Sequence, residues 1–175
     1  MTDTLDAAKL TDRVASLVEA ARKAGADAAD AVAVRGRSTG VSVRLGKVEG
    51  TEASESDNVA LRVFVGKRVA SVSATATADA NMLAERAVAM ARVSPEDPWQ
   101  GLADPALLAR ETRDLDLFDA TEVSADQLKE AALAAEAAAL AVKGVTNSAG
   151  SGASAGLGGL VLATSHGVLG HYVAS

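Results

Sequence analysis

His166 and His171 are the only two histidines, and Ser165 and Ser175 flank them in the closing stretch SHGVLGHYVAS. Histidine beside serine raises two chemistries, a metal centre and a nucleophilic hydrolase. A helical zinc pair needs histidines at i and i+4 with a glutamate beside the first. Here the histidines are five apart, Gly167 and Gly170 interrupt them, and no acid follows Lys143. On a strand an odd spacing sends the two rings to opposite faces. The expectation is a turn at Ser165-His166-Gly167 and an ordinary strand residue at His171. No catalytic, cofactor-binding or metal-binding residue is assigned.

Other motifs fail for equally specific reasons. A phosphate loop places Ser or Thr after Gly-Lys, but Gly46-Lys47 precedes Val48 and Gly66-Lys67 precedes Arg68. GSGASA at 150–155 has dinucleotide spacing, yet GLGGLVLATS follows it. That continuation is strand-like, so no helix N-terminus is available for a pyrophosphate. It reads instead as a backbone-exposing sheet edge. Ser151 lacks the spacing of a nucleophile elbow. The six acids between Glu111 and Asp126 lack calcium-loop spacing and read as a solvated connector.

The elements that carry these residues follow from periodicity. Leu10, Val14, Leu17, Val18 and Ala21 recur at helical spacing, with Asp3 or Thr4 as N-cap and Gly25 as stop, giving a helix over 5–24. The period then drops to two. Val32/Val34, Val41/Val43/Leu45 and Val59/Leu61/Val63/Val65 predict a meander of strands at 30–36, 40–46, 48–56, 59–65 and 68–75. RLGKVE and FVGKRV predict hairpins with glycine first in a type II′ loop, and Asp57-Asn58 predicts a third turn. TADANMLAERAVAMARV predicts a second helix that buries Leu83, Ala87, Met90 and Ala91. A connector over 94–123, with a short helical turn at 105–110, is expected to be anchored by Trp99 and Phe118. Ser124 and Gln127 have the capping-box spacing before a third, alanine-rich helix that Gly144 closes. Strands at 145–154, 157–164 and 168–175 end the chain. The fold class is therefore α+β: an antiparallel hairpin-linked sheet with about three helices packed on it.

Composition narrows the partners. A formal charge of −6 argues against nucleic acid. The absence of cysteine excludes disulfides and thiolate chemistry and suits a cytoplasmic location. No uncharged apolar run is long enough to read as a membrane helix. After Lys143 there is no charged side chain, leaving aside the histidines. Such a tail is expected to pair with structure outside these residues, and the chain to self-associate through its last strands.

With the elements in order, the chain resembles the TldD/TldE (PmbA) family, the "modulator of DNA gyrase" proteins. The pieces that carry the likeness are ARKAGADAADAVAV, SVRLGKVEGTEASESDNVALRVFVGKRVASVSAT, VSPEDPWQGLADPALLA, DLDLFDATEVSADQLKEAALAAEAA and the closing GVTNSAGSGASAGLGGLVLATSHGVLGHYVAS. SPEDPWQGLAD and DLDLFD favour the TldE/PmbA side. The resemblance implies a single N-terminal domain over 1–175, truncated before a C-terminal domain. It implies a cytoplasmic heterodimeric zinc metalloprotease acting on unfolded peptides, with roles in microcin maturation and antitoxin turnover. Its zinc motif, HExxxH, belongs to the C-terminal half of the TldD-type subunit, and this sequence contains none. The expected role is a non-catalytic scaffold that docks a TldD-like catalytic partner, with no metal of its own. The alternative is a self-sufficient protein-binding or regulatory module unrelated to proteolysis.

Overall fold

The computed structural model describes residues 7–109 and 113–175, so the N-cap expected at Asp3 or Thr4 lies outside the described residues. The order of elements is α1 (Ala7–Lys23), β1 (Ala28–Arg44), β2 (Lys47–Val65), β3 (Arg68–Thr75), α2 (Ala80–Val93), a 3-10 turn at Pro105–Leu107, α3 (Ala125–Leu140), β4 (Ser151–Thr164) and β5 (Leu169–Ala174). The strands form one antiparallel sheet in the order β3-β2-β1-β4-β5. The α+β class expected from the sequence is the one observed.

α1 buries Leu10, Val14, Leu17, Val18 and Ala21, the stripe that its spacing requires. It ends in a Schellman turn. Ala26 N–H reaches Ala21 O at 3.0 Å and Gly25 N–H reaches Arg22 O at 3.1 Å. Gly25 sits at φ +100, where a β-carbon is strained. Asp79 caps α2 by accepting from Met82 N–H at 2.8 Å. The capping box on α3 is present in both directions, at 3.2 Å to Gln127 N–H and 2.8 Å from Ser124 N–H.

The strands differ from expectation in continuity. The predicted turn at Asp57-Asn58 is absent, and β2 runs through it for 19 residues. Asp57 is held in the strand by Arg35, at 2.9 Å, and its carbonyl accepts from Ala76 N–H at 3.0 Å. Turn chemistry there gives way to cross-strand pairing. β1 likewise runs unbroken where two strands, 30–36 and 40–46, were expected, and β4 merges the strands expected at 145–154 and 157–164. The Gly66-Lys67 loop has positive φ only at Gly66, as type II′ requires, and Val65 pairs with Arg68 across it. The other hairpin is different. Its central residues are Leu45 and Gly46, both at positive φ, which is the type I′ pattern.

The chain divides into two compact units. The first comprises the described residues of Met1–Arg35, Asp57–Leu117 and Gly159–Val173. In it α1 and α2 bury one face of the strands, against Ala29, Ala31, Ala33, Leu61, Val63, Val72 and Val161. The inward residues of β1 are thus alanines, while Val34 faces out and Val32 is half-buried. Small side chains let the helices approach the sheet closely. Met90 is exposed, contrary to its expected place in the stripe; Ala84 and Val88 take the buried positions. On the other strand face Asp30 is buried and accepts from Arg62 Nε at 3.0 and 3.2 Å, and the guanidinium lies 5.3 Å from the Phe64 ring centroid.

The second unit comprises Gly36–Ser56, Phe118–Gly158 and Ala174–Ser175. Its core is small: Val41 and Val43 of β1 with Leu128 and Ala132 of α3, flanked by Leu133, Ala153 and Ala155. The connector is not anchored as expected, since Trp99 is 92% exposed and Phe118 is also exposed. Backbone contacts of Asp97 hold it instead, with Asp97 N–H on Lys67 O at 2.8 Å.

Two substitutions separate core from surface. Leu17→Ala, at a fully buried position, should cost about 2–5 kcal/mol in denaturant unfolding. Trp99→Ala should shift stability by no more than about 0.5 kcal/mol.

Candidate functional site

The histidine–serine constellation comes apart in the structure. Ser165 N–H donates to Ala29 O at 2.8 Å, and its hydroxyl accepts from Ala29 N–H at 3.0 Å. It pins the β4–β5 turn to β1. His166 is exposed in that turn, beside Gly167 at φ +83, and His171 is exposed on β5. Ser175 serves the connector, accepting from Asp119 N–H at 2.8 Å and donating to Asp119 O at 3.1 Å. Both serines are structural ties, and neither bonds to a histidine.

The 150–155 glycine-serine run opens a strand, not a helix. Gly150 lies at φ +118, and a β-carbon there would sit 2.9 Å from Val43 O, so glycine is required at this entry to β4. From Gly150 onward β4 runs beside β1 in the second unit, and the alternation of both strands puts two kinds of surface on two faces. One face carries Val41, Val43, Ala153 and Ala155, and α3 covers it.

The opposite face is made almost wholly of glycine and serine. On β1 it presents Gly36, Ser38, Gly40 and Ser42. On β2 it presents Gly50, Glu52, Ser54 and Ser56, and on β4 Gly152, Ser154, Gly156 and Gly158. Contacts across the strands place these on one surface. The hydroxyls of Ser38 and Ser54 are 2.9 Å apart. A β-carbon on Gly40 would meet the Cβ of Ser154 at 3.7 Å, and one on Gly156 would meet that of Ser38 at 3.5 Å. A shallow groove of about 640 Å³ lies over the surface, lined by Ser38, Gly40, Thr51, Ser54 and Ser154, with Glu52 as its charged side chain.

The sheet here has open margins. β5 has six residues against the 14 of β4, and their hairpin closes at Thr164 and Val168. Among the described residues, no strand pairs with the outer side of Ser151–Leu157. β3 likewise pairs with β2 only over Asn58–Val65. The outer margin of β2 carries Lys47, Glu49, Glu52 and Glu55, charges that discourage strand addition. Ser151–Leu157 carries none.

One functional-looking residue was missed by sequence reasoning. Glu136 stands on the buried stripe of α3, four residues after Ala132 and eight after Leu128, and is 2% exposed. Its two carboxylate oxygens accept from Leu45 N–H and Gly46 N–H, each at 2.8 Å. It holds the type I′ turn. The bond from Gly46 is the largest cause of a carboxyl pKa below its ordinary value, followed by the Ser148 hydroxyl; Arg44 adds a weaker pull in the same direction. Its signal in the sequence was a charge at an apolar-stripe position.

Among the described residues no three of His, Cys, Asp and Glu converge as a metal site. The exposed histidines have no acid near them in sequence, and Glu136 is committed to backbone amides. The residues present do not fit a catalytic zinc, and no step through one is derived.

Residues 29–91 match the model of the PmbA/TldA metallopeptidase domain 1. The Metalloprotease PmbA homolog of Haemophilus influenzae is 35% identical over 171 residues, covering 95% of this chain and 38% of that protein. The chain belongs to the PmbA/TldE family and corresponds to its N-terminal domain. Metalloprotease PmbA of Escherichia coli O157:H7 is 38% identical over 141 residues, 78% of this chain and 31% of its own. This PmbA/TldE-type domain thus spans well under half the length of the curated relatives it matches. Its fold recurs in crystal structures. A Bacteroides thetaiotaomicron protein described as a modulator of DNA gyrase superposes with a TM-score of 0.82 at 22% identity. TldE of Thermococcus kodakarensis gives 0.73 at 18%. They cover 93% of this chain and 38% and 37% of their own. Among the described residues no helix of the domain is long and apolar enough to cross a membrane.

Zinc titration of the purified chain should give no stoichiometric site by calorimetry, and His166→Ala with His171→Ala should change nothing. Stoichiometric zinc that disappears in that double variant would restore the histidines as ligands.

Proposed function

We propose that this domain is a non-catalytic, TldE/PmbA-type scaffold of a cytoplasmic heterodimeric metalloprotease that acts on unfolded peptides. Its TldD-type partner supplies the zinc and the activated water. The domain supplies a surface. The observation that carries this reading is the glycine-serine face, bordered by the uncharged Ser151–Leu157 margin.

Glycine weakens a strand, and a strand keeps it where another backbone must come close. Several of these glycines are not demanded by the sheet itself. Around Gly40 nothing lies within 3.7 Å of a would-be β-carbon, and around Gly156 nothing within 3.5 Å. A β-carbon at either position makes only ordinary van der Waals contact, and valine suits strands better than glycine. Their use is therefore sought outside the sheet, in a partner surface or an extended peptide lying flat on the face. The adjoining Ser151–Leu157 margin offers unpaired backbone groups to such a chain, which would add as a strand.

The test is a co-purification of the chain with a TldD-type subunit, beside a Gly40→Val/Gly156→Val variant. The variant should fold with undiminished thermal stability and lose at least about tenfold in affinity, because two ridges now hold the partner off. Retention of full affinity would remove the face from the interface. Capture of other proteins with no TldD-type subunit would favour an independent regulatory module.

A further inference from the structure

We propose that α3 is a detachable cover on the second unit's sheet, latched by the Glu136 carboxylate on the Leu45-Gly46 turn, and that neutralising this one carboxylate releases it. The device is independent of the glycine-serine face, because α3 lies on the opposite surface of those strands.

The hold of α3 on the sheet is narrow. Of its 16 residues only Leu128, Ala132 and Glu136 are buried. The apolar contacts of Leu128 and Ala132, with half-buried Leu133 beside them, thus share the work with a carboxylate. The carboxylate is well engaged: both oxygens accept backbone N–H groups at 2.8 Å, from two successive residues at φ +47 and +75. That conformation aims the two amides at one point, as an anion nest does. A charged acceptor makes stronger bonds than a neutral one, and a buried amide that loses its acceptor is costly.

The neighbours of Glu136 favour its charged form. From β1, Arg44 lies near and donates through Nε to Ser148 O at 3.4 Å. From the segment after α3, the Ser148 hydroxyl also favours the anion. From β2, Glu49 is turned to Arg44, at 4.0 Å, and not to Glu136. On α3 itself Lys129 is exposed to solvent, as is Lys143 just beyond the helix end. The carboxyl pKa is lowered, so the folded state favours the anion. The latch is closed above the ordinary carboxylate range and is lost as pH falls through the lowered value.

Release need not melt the helix. The run AALAAEAAAL has strong intrinsic helix propensity, and the capping box closes its start. α3 would leave as a helix and bare Val41 and Val43, which the closed form buries, beside half-buried Ala153 and Ala155.

The chain has no cysteine, so one introduced thiol reports cleanly. Ala132→Cys places it under α3 at a fully buried position, and Ala87→Cys places a control in the first unit's core. Thiol labelling is compared at neutral pH with and without Glu136→Gln. The proposal expects Glu136→Gln to speed labelling at position 132 by at least about tenfold and to leave position 87 unchanged. Less than about a twofold change at 132, or an equal rise at both positions, would overturn it. Should Ala132→Cys fail to fold, Ala153→Cys on β4 reads the same opening from the sheet side. A further arm follows hydrogen exchange of the unsubstituted chain as pH is lowered, corrected for intrinsic rates. Loss of protection over 41–46 ahead of the first unit's strands supports the latch, and simultaneous loss contradicts it.

Discussion

A one-residue slip between β1 and its neighbours would exchange the two faces of the second unit's sheet, because side chains alternate with period two. Val41 and Val43 would turn to solvent, and serines and glycines would meet α3. The Leu45-Gly46 turn, with both residues left-handed, joins the two strands tightly, and the cross-strand contacts of Ser38 with Ser54 and Arg35 with Asp57 hold the register. Glu136 then fixes the turn from outside, through both of its central amides. The second hairpin is treated in a similar way. Asp27 accepts from Gly66 N–H at 2.6 Å and donates its own N–H to Phe64 O at 2.9 Å. In each case a carboxylate satisfies a turn amide that the sheet cannot reach.

That constraint explains how one stretch of strand can be core on one side and a nearly bare glycine-serine surface on the other. The apolar side needs only small residues, because α3 is rich in alanine and lies close. The other side has almost no side chains beyond a hydroxyl. A surface of this kind offers little for catalysis, since no group on it is desolvated or paired as a nucleophile with its base. It offers access to backbone, the property on which the proposed docking role rests.

Much of the fold was legible. The α1 stripe, the Gly25 stop, the capping box at Ser124 and Gln127 and the Gly66-Lys67 hairpin were readable because each is settled within a few residues. Strand continuity was not. Asp57-Asn58 and the RSTG stretch have turn composition, and only Arg35 across the sheet shows why Asp57 stays extended. Trp99 looked like an anchor because large aromatics usually bury, yet nothing local decides that. The glycine-serine face was visible as alternation in GVSV, TEASES and SGASAG separately, but the three needed pairing to become one surface. Glu136 stands in view at an apolar-stripe position but drew no reading of its own, since its acceptor role depends on a turn 90 residues earlier.

The central claim is that this domain contributes surface and leaves peptide-bond cleavage to groups outside it. The direct measurement is hydrolysis of an unstructured peptide by the purified chain, followed by mass spectrometry with and without a zinc chelator. Peptide that stays intact in both arms is the predicted result. Turnover that the chelator abolishes would contradict the claim.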